Sequence, residues 1–222
     1  MSPNSAGVGR LRIGFPLEPI QALIVTHAHI DHVVRIPYLL AAGLRAPILC
    51  SEASAELLPL VLEDALKVGF TRDARLIERV LGLIRKRLVA LPYGHWHRVL
   101  DGDAGLRIRL QPAGHILGSA YVECEIGQGS EAARVVFSGD LGAPHTPLLP
   151  DPASPERADL VVLKSTYGDR EHEDREHRGR RLQAIVEHAF ENRGTILIPA
   201  FSIGRTTDNC RTLKMHTMIR NS

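Results

Sequence analysis

"VTHAHIDH", residues 25–32, puts His27, His29, Asp31 and His32 within six positions, directly behind an apolar run. Residues 20–26 of that run read as a buried strand entered from a Pro-Ile turn. Crowded imidazoles gain little from the hydrophobic effect and are awkward to bury, so the cluster needs another reason to exist. The two imidazoles of His27 and His29 sit at alternate positions, and Asp31 and His32 follow at the turn. Histidine and carboxylate together are typical ligands for zinc and other borderline metals. We read the stretch as a metal centre at the end of a strand.

Outward from it, strands and helices alternate. "VVRIPYLLAAG" (33–43) predicts a helix closed by Gly43, and "APILC" (46–50) a short strand. Ser51 is the N-cap candidate of an amphipathic helix over 51–69. Residues 73–91 read as a second helix with a basic face. "LRIRLQPAGH" (106–115) alternates as a strand running into a glycine loop at 114–119. "AYVECEI" (120–126) and "ARVVFSGD" (133–140) are two further strands joined by the turn at 127–132. A strand and loop over 158–169, a helix over 175–194 ended by Gly194, and a strand over 195–201 follow. There is no repeat, low-complexity tract or interdomain linker.

Two more strand ends carry ligand chemistry. His115 lies in "PAGHILGSA" and Asp140 in "VVFSGDLG", each just after a strand. Three separated segments thus deliver His or Asp into loops, where active sites commonly lie. Gly114, Gly118, Gly139 and Gly142 flank these residues and permit sharp turns or close backbone approach. The isolated histidines, His95, His97, His145, His172, His177, His188 and His216, read as surface or hydrogen-bonded residues.

Composition sets the outer limits. The chain has 222 residues, 44% hydrophobic and 23% charged, as expected of one globular domain of ordinary size. No apolar run approaches the roughly 18 residues needed to span a bilayer, and "MSPNSAGVGR" lacks the apolar core of a signal peptide. Cys50, Cys124 and Cys210 are odd in number and far apart, which argues against a disulfide framework and for a reducing, cytoplasmic setting. A net charge of +2 neither demands nor excludes a nucleic-acid partner. The cations of "RLIERVLGLIRKR" are equally consistent with an RNA-facing patch and a plain surface helix. In "YGHWH" (93–97), Trp96 is read as a half-buried anchor of a loop.

"THAHIDH", "GHILGSA", "FSGDLG" and "STYGDR" together resemble the ordered motifs of the metallo-β-lactamase superfamily, and within it the β-CASP ribonucleases. "IPAFSIGRT" (198–206) is similar to the segment where the β-CASP insertion begins. The resemblance runs over about residues 12 to 206 and implies an α/β (α+β) fold, an αββα sandwich, with two zinc ions at the sheet edges. It implies that His27, His29 and His115 hold the first zinc, that Asp31 and His32 hold the second, and that Asp140 bridges both; the second site's outer histidine belongs to the family's lid, so that site is expected to be incomplete here. Two zinc ions about 3.5–4 Å apart generate hydroxide near neutral pH and clamp a phosphate in line. Asp31 would orient that hydroxide, and Ser119, Ser165 and Thr166 are candidates to hydrogen-bond a phosphate oxygen.

Three departures from the family pattern bear on function. No Asp precedes Asp31, so the family's N-terminal strands are expected to be shortened. Lys164 stands where the family carries an acid just before "STYG". A cation there reverses the local field, by about 3 kcal/mol at roughly 6 Å and an effective dielectric of about 20. The tail 207–222 does not resemble the usual continuation, so the expectation is one domain over 1–206, a divergent tail, and no β-CASP lid. Three functions stay open. They are an RNA-cleaving phosphodiesterase acting on single-stranded RNA, its activity expected to be impaired by Lys164 and the missing lid, a small-molecule hydrolase of esters, thioesters or lactams, and an inactive RNA-processing subunit. A homodimer or a larger RNA-processing complex would suit the first and third, and none calls for a membrane.

Overall fold

The computed structural model describes residues 13–102, 105–144, 146, 148–166, 168–169, 177–199 and 203. It divides into two compact units, Met1–Lys164 and Ser165–Ser222, each described by itself. In the first, β1 (Leu23–Ile24), β2 (Ile48–Ser51) and β3 (Leu88–Leu91) form a parallel sheet in that order. A second sheet runs β4 (Trp96–Leu100), β5 (Leu106–Pro112), β6 (Ala120–Ile126), β7 (Ala133–Phe137) and β8 (Leu160–Val162). Its first four strands are antiparallel neighbours, and β8 joins β7 in parallel.

The two-residue side-chain period of a strand explains the layering. On β2, Ile48 and Cys50 face one way and Leu49 the other. Ile48 and Cys50 enter a core with Leu58, Leu62, Leu81 and Ile84, which come from helices α3 (Glu52–Gly69) and α4 (Ala74–Arg85). Leu49 enters a second core with Leu91 of its own sheet and Ile108, Leu110 and Val122 of the other. The unit is therefore helices, sheet, sheet, and β2 belongs to both cores. Full burial of a Leu or Ile side chain contributes about 1.5–3 kcal/mol each, so these clusters fix where the strand ends point. The mixed α/β architecture expected from the sequence is observed.

Several elements differ from the sequence reading. The helix expected over 33–43 is two short ones, α1 (Ile30–Val33) and α2 (Ile36–Ala41), with Pro37 in the first turn of α2. Proline lacks the N–H that would have bonded to Val33, so the helix restarts. The single helix expected over 73–91 is α4 followed by β3, because "LVAL" pairs with β2 in parallel register. Trp96 anchors a strand, β4, rather than a loop. In the second unit, α5 (Arg178–Glu191) matches the expected helix, whereas residues 195–199 form no strand. The tail expected over 207–222 lies outside the described residues, as do His145, His172 and His216. No helix among the described residues is long and apolar enough to cross a membrane.

Candidate metal centre

Four segments of the first unit bring their polar side chains together. The chain leaves β1 with Val25 still bonded to Leu49 O at 2.9 Å, and Thr26 O accepts from Ala120 N–H at 2.7 Å. His29 is extended, φ −64° and ψ 143°, and caps α1, whose first turn carries Asp31 and His32. The β5–β6 loop carries His115, and the turn after β7 carries Asp140.

The imidazoles of His27, His29 and His115 offer ring nitrogens within 4.8 Å of one another, and so do His27, His32 and Asp140 with a carboxylate oxygen. His115 Nε2 lies 3.1 Å from His29 Nδ1 and 3.6 Å from Asp140 Oδ2. His32 Nε2 lies 3.3 Å from Asp140 Oδ1 and 3.4 Å from Asp31 Oδ2. Asp31 is the outlier: its side chain is 67% exposed, and it joins neither donor group.

The donor chemistry fits a metal ion. His27 is 1% exposed, yet its Nε2 has no hydrogen-bond partner, and neither does the buried Oδ1 of Asp140. Unpartnered buried polar atoms are costly unless something unseen satisfies them. A tetrahedral zinc ion with bonds near 2.0–2.1 Å sets its donors about 3.3 Å apart, close to the separations found here. Burial, reinforced by His32 and His115, pushes His27 down to about 3. Burial and His29 likewise lower His115. Both rings are thus neutral at physiological pH, the form that binds metal. For Asp140, burial pulls upward, but the Lys164 hydrogen bond and the nearby His32 and His27 outweigh it and hold the carboxyl below its usual range. His27 Nδ1 lies 3.2 Å from Thr26 Oγ1. The tautomer with the proton on Nδ1 leaves the Nε2 lone pair facing the cluster.

Glycines make the convergence possible. Gly139 has φ +56°, and a Cβ there would meet the Thr26 side chain at 2.9 Å. At Gly142 a Cβ would fall 1.8 Å from Gly114 O, so the turn holding Asp140 and the loop holding His115 touch backbone to backbone.

The remaining expected site residues divide. Lys164 reaches the cluster, with Nζ donating to Asp140 Oδ2 at 2.7 Å. Ser119 is 2% exposed, and its Oγ accepts from the N–H groups of His115 at 3.0 Å and Ile116 at 3.2 Å. That geometry gives no support to a substrate contact; the hydroxyl shapes the loop. Ser165 and Thr166 are exposed residues of the second unit, where Ser165 O accepts from Gly168 N–H at 3.2 Å. Thr26 and Ser138 escaped sequence reasoning, since a lone hydroxyl beside a ligand carries no spacing signal.

A ribonuclease of Thermus thermophilus is 38% identical over 207 residues, covering 91% of this chain and 45% of the relative. Transcription termination factor FttA of Methanosarcina mazei is 33% identical over 201 residues, covering 87% of this chain and 30% of the relative. The chain thus spans less than half the length of these relatives. A solved B3 metallo-β-lactamase with an active-site glutamic acid is 23% identical, covers 60% of this chain and 46% of its own, and has a TM-score of 0.36, too low to carry an argument. Residues 3–186 match the metallo-β-lactamase superfamily, and the chain belongs to it.

Proposed function

We propose that this chain is the metal-bearing domain of a zinc-dependent ribonuclease of β-CASP type, hydrolysing phosphodiester bonds of single-stranded RNA in RNA processing or decay. The observation that carries the reading is the approach of His27, His29, His115 and Asp140 from three strand ends, with neutral imidazoles and unpartnered buried donor atoms. The relatives named ribonuclease and transcription termination factor favour RNA over a small ester or lactam. In this reading His27, His29 and His115 would hold one zinc ion with Asp140 beside them, and His32 and Asp140 with His27 would form a second donor set, Asp31 lying next to it. A bound zinc ion lowers the pKa of water to about 7 and polarises a phosphoryl oxygen. Asp31, exposed beside His32, positions the attacking water and receives its proton. Ser165 and Thr166 are exposed hydroxyls able to donate to a phosphate oxygen.

A second reading has one specific observation behind it. The Lys164–Asp140 ion pair at 2.7 Å places a cation where the family pattern has an acid, which suits an RNA-processing subunit that keeps metal but cleaves slowly or not at all. The test incubates the purified, zinc-supplemented chain with labelled single-stranded RNA and, separately, a generic thioester. Weak metal-dependent RNA cleavage, slowed by the Lys164 cation beside Asp140 and abolished by a chelator and by His115→Ala, is the expected result. RNA retained in a gel without cleavage would favour the subunit. Thioester hydrolysis alone would replace the ribonuclease reading with a small-molecule hydrolase.

A further inference from the structure

Lys164 stands out among the charged groups around the cluster. We infer that its ammonium group fills the second cation position, so that the chain holds one metal ion in the three-histidine set and a fixed lysine charge where a second ion would sit. This rests on the metal reading proposed above.

The ammonium is in contact with the second donor group itself. Nζ donates to Asp140 Oδ2 at 2.7 Å and lies 3.4 Å from His32 Nε2. Those two residues, with His27, are the second set of candidate metal donors. A protonated lysine has three donors and no lone pair, so it satisfies Asp140 Oδ2 and His32 Nε2 without ligating anything.

The placement is built into the backbone. Ser138, 3% exposed, donates its N–H to Val162 O at 3.0 Å, and its Oγ accepts from Lys164 N–H at 3.1 Å. The chain leaving β8 is therefore hooked to the end of β7, two residues before Asp140. Lys164 starts from a fixed point beside the carboxylate instead of swinging in from the surface.

Charge gives the same answer. Asp31 and Asp140 are carboxylates in contact with these histidines. One divalent ion and one ammonium already outweigh them, so a second divalent ion would enter against uncompensated like charge. In the proposed reaction the ammonium offers a phosphoryl oxygen a charged donor without a second metal.

The test measures bound zinc, independently of cleavage. The unaltered chain, Lys164→Met and Lys164→Glu are saturated with zinc, passed through a desalting column and assayed for metal. Circular dichroism checks that each is folded, as expected for a side chain 41% exposed. The unaltered chain should retain about one zinc and Lys164→Met about two, with the second ion held roughly 100-fold more tightly than in the unaltered chain. Lys164→Glu should behave like Lys164→Met. Two tightly held ions on the unaltered chain would overturn the inference. So would a second ion on Lys164→Glu alone, because a new carboxylate ligand would then have made the site. Zinc bound by none of the three would remove the metal reading and this inference together.

Discussion

The Ser119 hydroxyl accepts two N–H groups of the loop that carries His115, so its removal should be felt at the metal before it is felt by any substrate. Ser119→Ala leaves those donors short in a buried place. We expect a cost of about 1–3 kcal/mol and a loss of roughly 10–100-fold in zinc affinity, the usual effect of removing a partner that orients a ligand. Urea unfolding and a zinc titration check the two separately, and unchanged zinc affinity would leave Ser119 without a positioning role. Gly142→Ala should be harsher. Its Cβ would fall on the Gly114 carbonyl, and backbone cannot step aside as a side chain can. Loss of more than about 4 kcal/mol or insoluble protein is expected, and a soluble variant of near-normal stability would contradict the close approach. At this scale the histidines and aspartates were legible because their order along the chain is local information. The role of Ser119 was not, because burial is a property of the folded loop. The contact between Lys164 and Asp140 spans 24 positions and leaves no trace in either local sequence.

Among the elements, α3 depends on one serine in two ways. Ser51 Oγ accepts from Ser54 N–H at 3.2 Å as the N-cap, and donates to Gly118 O at 2.6 Å in the His115 loop. Ser54 Oγ donates to the same carbonyl at 2.8 Å. Ser51→Ala should therefore cost more than an exposed cap, about 2 kcal/mol or above, measured as a shift in the denaturant midpoint. A loss below about 0.5 kcal/mol would show that Ser54 alone suffices. The cap was readable from "SEAS" because capping is a local rule. The boundary between α4 and β3 was not. "LVAL" continues the apolar content of the helix before it, and only its parallel pairing with β2 makes it a strand. β4 was missed for the opposite reason: "WHRVL" is too polar to look like a strand. It becomes one opposite β5, where the Arg107 and Arg109 guanidinium groups sit 4.7 and 4.8 Å from the centre of the Trp96 ring.

For the first unit as a whole, the second sheet carries an acid-sensitive network. Arg109 pairs with the fully buried Glu123, and Arg107 and Arg134 pair with Glu125. The Arg134 hydrogen bond, against the opposing effect of burial and helped by Arg107, holds the Glu125 carboxyl below its ordinary value of 4.5. A depressed carboxyl contributes stability that is complete above 4.5 and is lost as pH falls through the lower folded value. The urea midpoint should be flat near neutrality and drop below about pH 4.5, with a shallower drop in Glu125→Gln; identical slopes in the two proteins would exclude Glu125 as the cause. The two cores that share β2 carry a consequence of another kind. Each holds one free thiol, Cys50 on the helix side and Cys124 between the sheets. Burial pushes the first up to about 12 and the second to about 11, so neither can react with an alkylating reagent until its layer opens. In a Cys210→Ser background, labelling rates at the two sites time the opening of each layer separately. Equal rates at all denaturant concentrations would mean that the helices cannot leave the sheet without the sheets parting. Faster labelling of Cys50 would mean that the helical face breathes on its own, carrying the Gly118 carbonyl's anchors away from the His115 loop.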